Sequence, residues 1–504
     1  MKRLKDTAKP RIGVYSMGLA AYWEQFPGLR ERLLSYGGFI ERKVRAMGAE
    51  VFFYGLVDCP EAGQKCGDFF NSRGVDLILA HSATYVTSAS ILPLHRRCAA
   101  RTVILNLQPA ARVDYERSTV GEWLAHCGAC PVPEISGAFH RAGIPFHAVN
   151  GLLGMDGAPD PDKSMADENT AERPEAVRAW KEIGEWVRAA SVLSGLRGAN
   201  FGFLGNYYSG MLDMYSDFTA LEAQAGIHVE LLEMCDLSRA LKNVGDGDVR
   251  RKREEIAEFF RFGDAGADPR NHPPSEEELA WSARVAAAQE KLALERGLDA
   301  LAYYYHGEPG GEYERLQSGF IVGHSLLTAK GVPCAGEADI KTCLAMKLCD
   351  ILGVGGSFCE IVVTDYLDGT IIMGHDGPFH IAIAEGKPIL RGLGVYHGKQ
   401  GSGLSVEAKV KTGPITNLSV TQTASGALKF LITEAQSTAG QIMTLGNTQT
   451  PVRFNKHPDA YMDEWFAHAP THHFAMSVGH NAALFEKAAL LLGIEYAVLG
   501  TVKK

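Results

Sequence analysis

Glu337, Glu360 and His375 stand in one stretch, PCAGEADIKTCLAMKLCDILGVGGSFCEIVVTDYLDGTIIMGHDGPFH, Pro333 to His380. Each lies beside a glycine or at the edge of a strand-like run. Asp339 to Leu352 carries Ile340, Leu344, Ala345, Leu348 and Ile351 at the spacing of one helix face. Glu337 is therefore expected just before a helix. Glu360 follows the Gly353–Gly356 turn and opens a strand, and His375 ends the partner strand across the turn at Asp368-Gly369. Carboxylates and an imidazole gathered from strand ends suit a hard or borderline divalent cation such as Mn²⁺, Mg²⁺ or Co²⁺. Taken singly, each Glu reads more simply as a surface or cap residue, and His375 as a satisfied strand-end histidine. Only their joint arrangement argues for a site.

A fourth candidate lies far along the chain, where Thr471-His472-His473 in HAPTHHFAMSVGH follows a proline and precedes an apolar run. AGEADIKT, SFCE, MGHDGPFH and THHF, in that order and spacing, resemble the L-arabinose isomerase and L-fucose isomerase family, most closely the arabinose isomerase pattern. The resemblance implies that Glu337, Glu360, His375 and His473 hold a catalytic Mn²⁺, with Co²⁺ or Mg²⁺ as alternatives. It assigns the acid/base roles to Glu337 and Glu360; of the histidine pair, His473 is read as the ligand and His472 as a supporting residue or a hydrogen-bonder to substrate, with the reverse assignment left open. The implied activity is isomerisation of an aldose to a ketose by ene-diol proton transfer between C1 and C2. A divalent ion gripping the carbonyl and its neighbouring hydroxyl acidifies the C–H, and a carboxylate within reach moves the proton. The substrate is a pentose or (deoxy)hexose such as L-arabinose. The same resemblance implies a homo-oligomer, trimer or hexamer, whose active sites are shared between subunits.

Further candidate substrate contacts come partly from the same comparison and partly from position at strand ends. GNYYSGMLDMYSD places Tyr207, Met211 and Asp213 after a strand, although Met211 and Met214 at i, i+3 are equally core residues. His306 ends the strand-like ALAYYY, and Gln108 ends ILNLQ. Where arabinose isomerases carry a Gln-His signature, this chain has MGLAAYWEQF; Tyr22, Trp23 and Gln25 form a bulkier set suited to stacking on a sugar. Asp376 is a second departure. Both leave L-arabinose, D-galactose, L-fucose and rarer pentoses open as substrates. The CGAC at 127–130 lacks a second pair and reads as packing, and no phosphate-cradling glycine motif occurs.

The elements that must position these residues read as α/β. RIGVYS, EVFFYG, VDLILA and RTVILNL are apolar runs alternating with helical stretches, which implies a doubly wound parallel sheet in a domain over 1–170. A second α/β domain of the same kind is expected over 171–330, opened by a helix with Trp180, Ile183, Trp186 and Val187 inward. Its strands are NFGFL, HVELLEM and DALAYYY. Alternating strands with DG, GKP, TGP and SG turns then predict an antiparallel, barrel-like domain over 331–504, carrying most of the metal ligands. Phe474–Leu492 is expected to close it as a helix.

Composition narrows the function further. With 504 residues, 46% hydrophobic and 22% charged, the chain is an ordinary globular one. Its net charge of −9 argues against nucleic acid, and no apolar run suggests a membrane span. Ten scattered cysteines and an opening without a long apolar core point to the cytoplasm. Two competing readings are a glycoside hydrolase using the paired carboxylates and a catalytically inactive sugar-binding protein of the same fold.

Overall fold

The computed structural model describes residues 1–156, 169–266, 268–305, 307–393 and 403–500. The chain divides into two compact units, Ala8–Gly195 and Met1–Thr7 with Leu196–Lys504. Among the described residues no helix is long and apolar enough to cross a membrane.

In the first unit, five parallel strands lie in the order Glu50–Val57, Arg11–Met17, Leu77–His81, Arg101–Gln108, Phe146–Leu152. Four are the apolar runs read from the sequence. The fifth, FHAVNGL, is an edge strand with only two fully buried residues, so its apolar signal is weak. The helix Pro174–Leu196 turns Ile183, Trp186 and Val187 inward as expected. It does not open the second domain: up to Gly195 it belongs with the first unit. There the Trp180 indole donates to the carbonyl of Leu153 at 2.8 Å.

The second unit holds the remaining three sheets, one of them a small sheet centred on Ile389–Leu393. Ile227–Leu232, Ala199–Gly205, Ala300–Tyr304 and Cys334–Ala335 form a parallel sheet in that order. Its chain leads directly into the helix Ile340–Ile351, every residue of which is buried. The apolar pattern of this segment suggests one inward face; the structure buries it all round, because it packs against both the parallel sheet and strands of the barrel. Burial of Lys341 is tolerated because its ammonium donates to the carbonyls of Asp213 and Met214 and to the Ser216 hydroxyl at 2.8–3.0 Å.

Six antiparallel strands then close into a barrel: Gly413–Gln422, His473–Val478, Gly355–Asp365, Thr370–His375, Thr448–Arg453 and Leu428–Ser437, the last pairing back with the first. Phe474–Leu492 is not one helix. His473–Val478 is a strand between two barrel strands, Gly479 at φ 98° breaks it, and the helix begins at Ala482. Its small and apolar side chains suit either structure, and two waiting strand edges decide for the strand.

Candidate metal centre

The barrel brings three of the four expected ligands together by cross-strand register. Glu360 lies opposite His473 on one neighbouring strand and Gly374 on the other, with His375 one residue further. Gly374 is required: a Cβ there would sit 1.8 Å from the carbonyl oxygen of Thr448. Phe358, two residues before Glu360 and on the same face of its strand, is wholly buried. Its ring lies 4.7 Å from that of His375 and 4.4 Å from that of His473, forming an apolar floor under both imidazoles.

Glu337 arrives from the parallel sheet, on the short turn Gly336–Ala338 between the strand Cys334–Ala335 and the buried helix. Glu337 and Ala338 take left-handed backbone angles, φ 56° and 60°, a conformation costing roughly 1–3 kcal/mol for each non-glycine residue. The surrounding packing holds this strain and aims the carboxylate at the barrel histidines. Glu337 Oε1 lies 4.0 Å from His375 Nε2, Glu337 Oε2 3.5 Å from His473 Nε2, and Glu360 Oε1 3.9 Å from His375 Nε2. Ligand-type atoms of Glu360, His375 and His473, and likewise those of Glu337, His472 and His473, lie within 4.8 Å of one another.

Each histidine is oriented from behind. His473 is fully buried, and its Nδ1 meets Asp339 Oδ2 at 3.1 Å. The same Asp339 carboxylate caps the buried helix, accepting from the amides of Lys341 and Thr342 and from the Thr342 hydroxyl. His375 Nδ1 lies 2.9 Å from Asp376 Oδ1, an ion-pair contact outside hydrogen-bond geometry. His472 Nδ1 meets Asp213 Oδ2 at 2.6 Å, and Asp213 also accepts from the His472 amide. A carboxylate behind a ring leaves Nε2 facing the centre, the usual arrangement around metal-bound imidazoles.

Electrostatics follow from this packing. Burial works against ionisation of Glu337, but His472, His375 and His473 outweigh it and hold the carboxyl below its ordinary range. Asp339, wholly buried, is likewise held low by His473, Lys341 and the Thr342 amide. Burial pushes His473 down in spite of Asp339, so its ring is neutral, as a ligand must be. His375 is raised: burial opposes its charge, and Asp376, Glu360 and Glu337 overcome it. For His472, Asp213 and Glu337 overcome burial and lift it to about 10.

The residues present fit a divalent cation. Glu337 Oε2 and His473 Nε2 are buried polar atoms without a hydrogen-bond partner, and they face each other. Buried polar atoms are ordinarily paired. Two carboxylates and two imidazoles, with no sulfur, form a borderline-hard donor set.

Asp339 and its grip on His473 carry no local signal in the sequence, where Asp339 only opens the helical pattern up to Leu352. Asp213 proves to hold His472. Of the other expected contacts, Tyr207 accepts from the Ser216 amide and packs on Phe203 and Tyr215. Met211 is half-buried beside the buried Met214. Gln108 ends its strand at the carboxyl edge of the first sheet and lines a cavity of about 710 Å³ with Trp123 and Cys130. Tyr22, Trp23 and Gln25 follow the strand Arg11–Met17; the Trp23 indole donates to Asp58 and the Gln25 amide to the Ala21 carbonyl. Those four belong to the unit Ala8–Gly195. His306 lies outside the described residues.

Neither the protein-family models nor the curated proteins compared with the sequence give a match. Among solved structures, a periplasmic solute-binding protein of an ABC transporter from Actinobacillus succinogenes, with bound D-allose, is similar at 11% identity and a TM-score of 0.17. The match covers 65% of this chain and 78% of that one. So low a score carries no argument about function.

Proposed function

We propose that the chain is a divalent-metal-dependent aldose–ketose isomerase of the arabinose isomerase type. The observation that carries this reading is a pair of overlapping triads of ligand-type atoms, Glu360–His375–His473 and Glu337–His472–His473, with Glu337 Oε2 and His473 Nε2 buried and unpartnered 3.5 Å apart. Glu337, Glu360, His375 and His473 would hold the metal, Mn²⁺ by resemblance. A bound cation of this kind polarises a sugar's carbonyl and the adjoining hydroxyl as a Lewis acid.

The chain's own residues do the rest. Glu337, kept ionised by the three histidines, and Glu360, a third exposed, are the carboxylates that take a proton from one carbon and return it to the next. Asp213 holds His472 with its Nε2 3.8 Å from Glu337, where a cationic imidazole can donate to a substrate oxygen. Asp339 and Phe358 fix the ring of His473. Beside Glu337, His375 and Asp376 lies a cavity of about 110 Å³, also lined by Tyr304, Gln317 and Ser318, room for a small polyol.

A homo-oligomer with shared sites, acting on a sugar in the cytoplasm, belongs to the same reading. The ten cysteines are free thiols, in keeping with that compartment. The test is ketose formation from a panel of aldoses, with the protein treated with EDTA and then reloaded with Mn²⁺. Metal-dependent turnover of at least one pentose or hexose is expected. Full activity in demetallated protein would overturn the reading, and a glycosidase activity without metal would replace it.

A further inference from the structure

The parallel sheet that delivers Glu337 has a second feature at the same edge. In chain order its strands run 2-1-3-4, so the connections leave in opposite directions from Ala199–Gly205 and Ala300–Tyr304. A crevice is expected beyond the carboxyl ends of two such strands, and it is where open α/β sheets bind ligands. A cleft of about 770 Å³ lies there, within the roughly 300–1,000 Å³ usual for small-molecule sites.

Its lining is aromatic and uncharged except for one acid. Tyr208 and Tyr304 lie with ring centroids 4.7 Å apart, tilted 32°. Tyr305 and Tyr313 meet edge to face at 5.7 Å. Asn206 and Glu233 supply polar groups, and no lysine or arginine lines the cleft among the described residues. A phosphorylated ligand would therefore find no cationic side chain to pair with among the described lining residues. Aromatic faces beside a few hydrogen-bonding groups suit a neutral ring that is apolar on its faces and hydroxylated at its rim. The cleft adjoins the metal centre: the Tyr208 amide donates to the Glu337 carbonyl at 3.3 Å, and Tyr304 lines both cavities.

We propose that this cleft binds the closed sugar ring of a glycosylated aldose, so that the substrate class extends to reducing disaccharides. The ring-binding half stands on the cleft alone; the substrate half rests on the isomerase reading. EDTA-treated full-length protein is titrated with methyl β-D-galactopyranoside and methyl β-D-glucopyranoside, closed sugars that cannot isomerise, followed by saturation-transfer NMR and calorimetry. Saturable binding of at least one glycoside is expected, weakened about tenfold by Tyr305→Ala, in line with the loss of one aromatic stacking contact, and restored by Tyr305→Phe. Tyr313→Ala is the second variant, should Tyr305→Ala fail to fold. Absence of saturable binding, or binding indifferent to both substitutions, overturns the proposal.

With Mn²⁺-loaded protein, the ratio of kcat/KM for lactose to that for free glucose is expected to fall about tenfold in Tyr305→Ala, the same stacking loss seen in turnover. An unchanged ratio overturns the substrate half. If no aldose is turned over at all, the isomerase reading fails while the glycoside titration still decides the cleft.

Discussion

Two clusters of carboxylates in the second unit, one around a buried lysine and one around buried histidines, solve the same electrostatic problem in opposite ways. Around Lys252 and Lys330, the carboxylates of Glu255 and Glu290 sit 2.5–2.6 Å from the ammonium groups, two charges of each sign closing on one another. Around Glu337 and Glu360 the ion-pair partners are histidines at 3.5–4.0 Å, too long for good hydrogen bonds. Nearby Asp213, Asp339 and Asp376 add further negative charge behind the rings. The first cluster carries its own cations and is complete. The second has donors spaced apart in two triads that share His473, as a set would be that expects a cation from outside.

The sharpest way to break that contrast is to remove acid/base capacity. Glu337→Gln and Glu360→Gln should each lower isomerase turnover about 10³-fold, in the range for a lost general acid–base group, with circular dichroism unchanged. Near-wild-type rates in either variant would remove that residue from the proton transfer.

In the lysine cluster the expected loss is of stability. Lys252→Met leaves the part-buried Glu255 and Glu290 to share Lys330 alone and should cost about 2 kcal/mol in urea unfolding, with the Mn²⁺ affinity of the folded protein unaltered. If it also abolished metal binding, the two clusters would not be independent.

Metal itself should stabilise only through the second cluster. Mn²⁺ at a hundred times its dissociation constant should add about 2.7 kcal/mol, and EDTA should remove it. Asp339→Asn, which frees the His473 ring from its buried carboxylate, should weaken Mn²⁺ binding about 10–100-fold, read by calorimetry. An unchanged affinity would mean that packing against Phe358 alone orients the ring.

Buried histidines away from the centre set how the fold responds to acid. Burial depresses His81 and His324 to about 3, and His95 and His380 to about 4. Each folded-state pKa lies below the unfolded value of about 6.5. These groups therefore favour the folded state fully above pH 6.5, and that contribution is lost as pH falls toward 4, where only the unfolded chain takes up the proton. Each should steepen the acid limb by up to about 1.4 kcal/mol per pH unit. His324 stands between Tyr303 and Phe320 without a hydrogen bond to either ring nitrogen. The variant His324→Phe should flatten the limb measurably.

Much of the centre was legible in the chain. The Gly-flanked Glu337, Glu360 and His375 and the His472-His473 pair were readable because strand ends, tight turns and a helix start each leave local residue signatures. The first four strands of the first sheet were equally plain, being continuous apolar runs. What escaped was whatever depended on a partner distant in sequence. Phe474–Val478 reads as helix or strand, and its neighbours in the barrel chose. The edge strand Phe146–Leu152 is too half-buried to announce itself. Asp339 opens a helical pattern in the chain and is also the clamp on a histidine 134 residues away.

By itself, then, the order of amino acids determined which side chains are available for chemistry and the local element on which each rides, since propensity, period and turn residues act within a few positions. Their meeting at one point was decided by tertiary structure alone. Barrel register sets Glu360 between His473 and Gly374, and a strained turn between two packed sheets swings Glu337 toward them. Distances between groups so remote along the chain depend on how whole sheets pack, and no local pattern records that.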